Sequence, residues 1–366
     1  MTIRCYHNKT ITVKKNDMRN FITLLIVLVA MNIHAQPLQD TTLQNVSKNI
    51  IMEVVKPIET DVSFASVVVM ETESGIVRSN INLTRTSQGW EQDDDYKHYV
   101  AAGNSRAVLF LALLECGASS GESYHTSGVF TDKQAGCTIK DYNRPIDGWG
   151  DIRLDRAMNC SDIVILKACE AHFARSMGTL AYYLGKTGID LGDKDDERTY
   201  EEFCNDYENT PWDPIGILGY RDRITPLQMT IWMQGIANDG RMMMPRFYES
   251  DSTKTIYEQM ALRHNIDSLK NAMRAEVECG TLRNVASEYV SVSGITNVSQ
   301  ANNIGYRCTM FCGFIPGYTI SVNIVMKGSQ TLSAHVSIAR GIIDWIAQHR
   351  LNLSDDKKQL GMNYHH

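Results

Sequence analysis

Between Tyr99 and Gly117 the chain reads YVAAGNSRAVLFLALLECG, with Gly103, Asn104, Ser105 and Arg106 forming a small polar turn ahead of an apolar run. A helix N-terminus offers free amide donors, which suit a capping side chain or a reactive group such as a serine nucleophile. The run behind the turn, with Val108, Leu109, Leu111, Ala112 and Leu114, has no polar face, so other elements must cover most of its circumference. The pattern predicts a central core helix that presents a polar turn. Ser105 is then either a cap or a nucleophile, depending on what the rest of the chain brings to it.

Other chemistries find little support. The ten histidines are scattered, with no HExxH or His/Asp cluster, so no metal site is expected, and no cofactor motif is present. The run DKDDER from Asp193 to Arg198 lacks the ligand spacing and turn glycine of a calcium loop and reads as a solvated loop. Met242, Met243 and Met244 read as packing against a sheet, and His365 and His366 as a tail. A net charge of -6 and no basic patch with interleaved aromatics argue against nucleic acid as a partner.

With 366 residues and 43% hydrophobic content the chain can bury a large core. The compositional break is near the start: Met18, Arg19 and Asn20, then FITLLIVLVAM, then Asn32 to Ala35 before Gln36 and Pro37. A basic residue, a short apolar core and a small residue before a polar turn build a secretory signal, and the run is short for a membrane span. Residues 1–35 are therefore expected to be an N-terminal extension and signal starting at Met18 and cleaved after Ala35, with an uncleaved anchor as the alternative. Export to a periplasm-like compartment or cell envelope follows. Of nine cysteines, Cys5 precedes the signal; Cys116, Cys137, Cys160, Cys169, Cys204, Cys279, Cys308 and Cys312 follow it. None makes a CxxC knuckle, and packing as free thiols is expected although export permits pairing.

The elements that must position the polar turn can be read in order. TTLQNVSKNIIMEVVKP has helical spacing at Leu43, Val46, Ile50 and Val54 and is closed by Pro57. FASVVVMETESGIVRSNINL predicts a hairpin turning near Thr72 to Gly75. Helices are expected over RLDRAMNCSDIVILKACEAHFARSMG, after ITPLQ to about Asn238, around Asn265 to Glu278, and over LSAHVSIARGIIDWIAQHR with Val336, Ile338, Ile342 and Ile346 buried. Late strands are expected near Tyr289 to Ile295, Tyr306 to Phe314 and Thr319 to Met326. Early strands, a helical middle and late strands imply an α+β fold. One antiparallel five-stranded sheet is assembled from both chain ends over residues 36–350, with a helical subdomain inserted at about 100–285. A polar tail, 351–366, follows.

The block GILGYRDRITPLQMTIWMQGIANDGRMMMPR, Gly216 to Arg246, resembles the transpeptidase domain of penicillin-binding proteins. Thr225-Pro226-Leu227-Gln228, Ala237-Asn238-Asp239-Gly240 and Pro245-Arg246 stand at that family's spacing. Bottom-up, Thr225 is a helix cap, Pro226 its first residue, and Asn-Asp-Gly a left-handed stop. The resemblance extends from roughly Leu43 to Ile346 and implies the family's β-lactamase-like sandwich. The family's chemistry uses Ser-x-x-Lys, Ser-x-Asn and Lys-Thr-Gly, with the serine acylated and the lysine assisting its deprotonation.

Counting back from Leu114-Glu115, which close the nucleophile helix in this family, the serine position falls on Gly103 and the lysine position on Arg106. Glycine has no nucleophile, and a guanidinium stays charged and cannot act as a base. A register shifted by two puts Ser105 in place but leaves Val108 where the base belongs. The second motif becomes Ser161-Asp162-Ile163, with Ile163 for the asparagine. The third becomes Val292-Ser293-Gly294, which removes the cation that receives a carboxylate. Ser105 and Asn104 are then expected to be caps, Ser161 to bond a backbone carbonyl, and Arg106 to pair with Asp162 or face solvent.

The resemblance with these departures implies an exported pseudoenzyme that binds peptidoglycan stem peptides, a β-lactam or a cell-wall protein partner through the old cleft. The alternative is an active serine acyltransferase, a transpeptidase, carboxypeptidase or β-lactamase-like enzyme, using Ser105 or Ser161 with a non-standard base. A purely structural envelope protein with a collapsed cleft is a third reading.

Overall fold

The computed structural model describes residues 2–4, 10–12, 36–92, 100–101, 105–141, 144–186, 210–218, 223–300, 305–328 and 333–351. The expected signal, the Asp193 to Arg198 run, Cys204 and the tail lie outside them, as do Gly103 and Asn104.

After α1 (Thr41–Val55), strands β1 (Val62–Glu71), β2 (Val77–Thr86) and β3 (Gly89–Gln92) lead to α2 (Ser105–Glu115). Two small hairpin-like pairs surround the next part of the chain: β4 (Ser123–Thr126) with β7 (Gly150–Arg153), and β5 (Val129–Asp132) with β6 (Cys137–Lys140). Helices α3 (Leu154–Cys160), α4 (Asp162–His172), α5 (Met177–Lys186), α6 (Pro226–Ala237) and α7 (Arg263–Cys279) follow. Strands β8 (Ser293–Gln300), β9 (Tyr306–Ile315) and β10 (Tyr318–Lys327) and helix α8 (Ala334–His349) complete the chain.

One antiparallel sheet, in the order β8-β9-β10-β1-β2-β3, is made from both chain ends. Strand β1 is buried on both faces because helices cover both: α1 and α8 on one side, α6 on the other. Five strands are those expected, and β3 makes a sixth. It is four residues long and polar, and Gly89 at φ 124° turns the chain into it, so it carries no apolar alternation to read. The buried face of α1 is Leu43, Ser47, Ile51 and Val55, rotated by one residue from the expected stripe.

Strand β8 also corrects the sequence reading. It starts four residues later than expected and runs on through polar residues to Gln300, which pairs with Arg307. Val290 and Val292 enter the core as an extended lead-in, and apolar spacing alone mistook them for the strand.

Helix α2 is the covered core helix its composition demands: Ala107 through Leu113 are buried, against α3, α4, α5 and α7. Its closing Glu115 accepts hydrogen bonds from Leu262 N (2.8 Å) and Asn265 Nδ2 (2.7 Å). Leu262 is the N-cap of α7 and has no capping side chain, so Glu115 supplies the cap from another element.

Thr225 and Gln228 form a full capping box at the head of α6, with Pro226 at its first position. Asp239 (φ 60°) and Gly240 (φ 103°) make the left-handed stop. Buried Gln234 holds α6 to the sheet, donating to Thr72 O and accepting from Met243 N at 2.8 Å. Met242 and Met243 are buried as expected, while Met244 is exposed. Cys116, Cys137, Cys160, Cys169, Cys279, Cys308 and Cys312 are free thiols.

Candidate functional site

Helix α2, the α3–α4 junction and the polar edge of β8 enclose a cavity of about 630 Å³. Ser105 is the first residue of α2 and its side chain lies outside the described residues. Arg106, one turn position on, reaches across to α4, where its Nε lies 3.2 Å from Asp162 Oδ1, with about a fifth of each side chain exposed. Of the two alternatives for Arg106, pairing is the one observed. A guanidinium held by a carboxylate is a poor candidate for a proton acceptor, because it stays charged at any working pH.

Ser161 does not bond a backbone carbonyl as expected. It is fully buried and donates from Oγ to Asp141 Oδ2 at 2.7 Å, while accepting from Val164 N as the N-cap of α4. The Asp141 carboxyl, brought up from 20 residues earlier in the chain, accepts this hydroxyl's hydrogen bond in place of a backbone carbonyl. Asp141 also accepts from Trp149 Nε1 (3.0 Å) and Ile163 N (3.3 Å). Burial pushes the Asp141 carboxyl up, and the nearby charge of Asp162 adds to that, against these three hydrogen bonds. Ile163 is fully buried in the core of the helical subdomain.

At the third motif, Val292 packs in the core under α8, and Gly294 lies under the ring of Phe311. None of Arg106, Ser161, Val292 and Gly294 brings a nucleophile and a neutral base together. Cys160 lines the cavity, but burial pushes its thiol up to about 11, and Sγ donates to Arg156 O at 3.4 Å. It is an unreactive thiol at neutral pH. Among the described residues no group of histidines, cysteines and acids is arranged to hold a metal ion.

Three polar residues of the site were not singled out from sequence. Glu276 is buried on α7 beside Arg106; Thr281 donates to it from Oγ1 and N, and its Oε2 has no partner among the described residues. His335 is buried at the start of α8 with Nε2 2.8 Å from Thr296 Oγ1, and burial lowers it to about 4. Arg307 lines the cavity from β9. The first two stand on apolar helix stripes, Glu276 with Ile266, Leu269 and Met273, His335 with Ile338, Ala339 and Ile342, and that placement was a readable signal. Asp141, in a loop, gave none.

Burial pushes the Glu276 carboxyl up, and the Thr281 bonds and the Arg106 charge do not fully offset it. The native state therefore holds this proton more tightly than the unfolded chain, and its stability falls as pH rises from the ordinary carboxylate range through the raised value. Glu276→Gln keeps an acceptor for Thr281 and cannot ionise. It is expected to stabilise the protein by about 1 kcal/mol at pH 7.5, with the gain vanishing near pH 4, as read by urea melts at the two pH values.

The model of the penicillin binding protein transpeptidase domain matches residues 106–344. Comparison with curated protein sequences gives no match. Solved structures similar in fold include the transpeptidase domain of penicillin-binding protein 3 from Burkholderia pseudomallei, at 14% identity and TM-score 0.67, covering 87% of this chain and 97% of that one. PonA1 from Mycobacterium tuberculosis, solved with penicillin V, is similar at 15% identity and TM-score 0.68, covering 92% of each chain. Penicillin-binding protein 2 from Pseudomonas aeruginosa, solved with WCK 5153, is similar at 16% identity and TM-score 0.67, covering 88% of this chain and 81% of that one.

Proposed function

Since the chain belongs to the penicillin-binding protein transpeptidase domain family, we propose that it is a member without acyl-transfer activity, which binds peptidoglycan stem peptides or a cell-wall protein through its cleft. The observation that carries this reading is the Arg106–Asp162 ion pair at 3.2 Å: the family resemblance sets Arg106 where a proton-accepting lysine belongs, and a guanidinium does not serve as that base. Ser161 supports it: the hydroxyl is fully buried and committed to Asp141, so no substrate carbonyl reaches it. The cavity of about 630 Å³ is open rather than collapsed, which favours a ligand over a purely structural role. The segment Met18 to Ala35 supports export to the cell envelope, with cleavage after Ala35.

A fluorescent penicillin incubated with the purified mature chain is expected to leave no covalent adduct in a denaturing gel or intact-mass spectrum. Muropeptides are expected to raise the melting temperature by ligand linkage. A stable acyl adduct that disappears in Ser105→Ala or Ser161→Ala overturns the reading and makes the chain a working serine acyltransferase.

A further inference from the structure

One corner of the cleft carries groups that the reading above leaves without a role. The sixteen-residue helix α8 begins there with Ser333 as its N-cap; the Ser333 side chain makes no capping bond. The amides of Ala334 and His335 are among the first of the helix and have no acceptor among the described residues. Such amides carry the positive end of the helix dipole. Arg307, exposed on β9, lines the same cavity and has no ion pair among the described residues.

The second, independent observation is His335, which is only 2% exposed. Thr296 has one hydroxyl proton and is placed to give it to Met310 O at 2.9 Å, so His335 Nε2 is the donor in its 2.8 Å bond to Thr296. That leaves His335 Nδ1 as a bare lone pair, and it has no partner among the described residues. A buried acceptor without a donor is a cost that a bound group or a proton can remove.

We propose that this corner is an oxyanion-binding site formed by the N-terminus of α8, the Ser333 hydroxyl and the Arg307 guanidinium, where an anion binds together with a proton taken up at His335 Nδ1. It rests on the non-covalent ligand reading above and adds the ligand's chemistry: a carboxylate or a tetrahedral oxyanion. The family resemblance implies a carboxylate receptor at Val292 to Gly294, where this chain offers no charge. The site runs along the same strand beyond that point, from Thr296, which His335 touches, to Gln300, which pairs with Arg307.

The titratable and charged groups facing this cavity are Arg106, Lys140, Asp141, Cys160, Asp162 and Arg307, with Glu276 in the adjoining void. Without a ligand, burial keeps His335 neutral at physiological pH. An anion beside it restores an ordinary imidazole affinity for protons, so a ligand of fixed charge binds about tenfold more tightly at pH 5.5 than at pH 8.0. Protonation of Asp141 and Glu276 works in the same direction, and only a His335 variant separates the contributions.

The test is calorimetric titration of the full mature chain with sodium sulfate, whose charge is constant over this range, at fixed ionic strength. A parallel titration with N-acetylglycine distinguishes a planar carboxylate ligand from a tetrahedral one. Sulfate or N-acetylglycine is expected to bind about tenfold more tightly at pH 5.5, with the loss of at least about tenfold in affinity in Arg307→Gln, an exposed position whose melting temperature should not move. In His335→Gln, whose amide can keep the bond to Thr296, binding is expected to persist with its pH dependence flattened. Absence of binding by both probes, binding unchanged in Arg307→Gln, or a pH dependence in His335→Gln as large as that of the parent chain overturns the proposal. Muropeptide stabilisation alongside any of these would leave the non-catalytic reading standing, whereas a penicillin adduct would remove that reading without bearing on sulfate.

Discussion

Asp162→Ala is expected to destabilise the protein by about 2–3 kcal/mol, and adding Arg106→Ala is expected to recover more than half of that loss. Roughly a fifth of each side chain is exposed, so the pair has lost most of its hydration but not all of it. Removing the carboxylate leaves a guanidinium wedged between α2 and α4 with Glu276, whose charged form burial disfavours, as its remaining acid. Removing both charges at once leaves a small void but no stranded ion. The double-mutant cycle by chemical denaturation therefore reads a coupling of about 2–3 kcal/mol, with Asp162→Ala the worse single change. Independent single-mutant losses that simply add would show that Arg106 is solvated and that the pair holds nothing in place. Asp162 also opens α4, so a few tenths of the loss belongs to the helix dipole and stays in the double mutant.

The contrast between what was legible in the sequence and what was not follows from the range of the forces involved. The hairpin β1–β2, the core helix α2, and α6 between its capping box and its left-handed stop are written in local spacing and local turn chemistry, and each appears where that spacing puts it. The failures are at the edges. Strand β3 and the polar half of β8 form because a neighbouring strand offers them hydrogen bonds, which apolar periodicity does not encode. The site divides in the same way. Arg106 and Asp162 were readable as a pair because the resemblance set both in register. Asp141, which captures the Ser161 hydroxyl, comes from a loop 20 residues earlier in the chain, and no local pattern marks it. Glu276 and His335 were visible only as polar residues on apolar stripes, and a stripe does not say which neighbour a polar residue will meet.

Gly313→Ala is expected to cost about 3 kcal/mol or to prevent folding, although position 313 carries no side chain and touches no ligand. Gly313 and Gly294 are directly opposed on β9 and β8. A Cβ on Gly313 would stand 2.3 Å from Ser293 O and 2.7 Å from the edge of the Phe311 ring. One on Gly294 would stand 2.6 Å from the same ring. Phe311 is fully buried and lies across both glycines, so the obstruction is backbone and core rather than a flexible tip that can yield. This accounts for the third motif in physical terms. Where the family resemblance places that motif, the core accepts Val292, and Gly294 lies so close to Phe311 that packing resists a Cβ there. Gly294→Ala is expected to cost less than Gly313→Ala, since its tightest contact is the Phe311 ring alone, whereas a Cβ on Gly313 meets the Ser293 carbonyl as well as that ring. Phe311→Leu combined with Gly294→Ala should recover part of the loss, as compared by thermal melts of the single and double variants. Equal stability of Gly313→Ala and the parent chain would mean that the two strands separate locally at this point. The persistence of the motif glycine would then need a reason in ligand binding instead of packing.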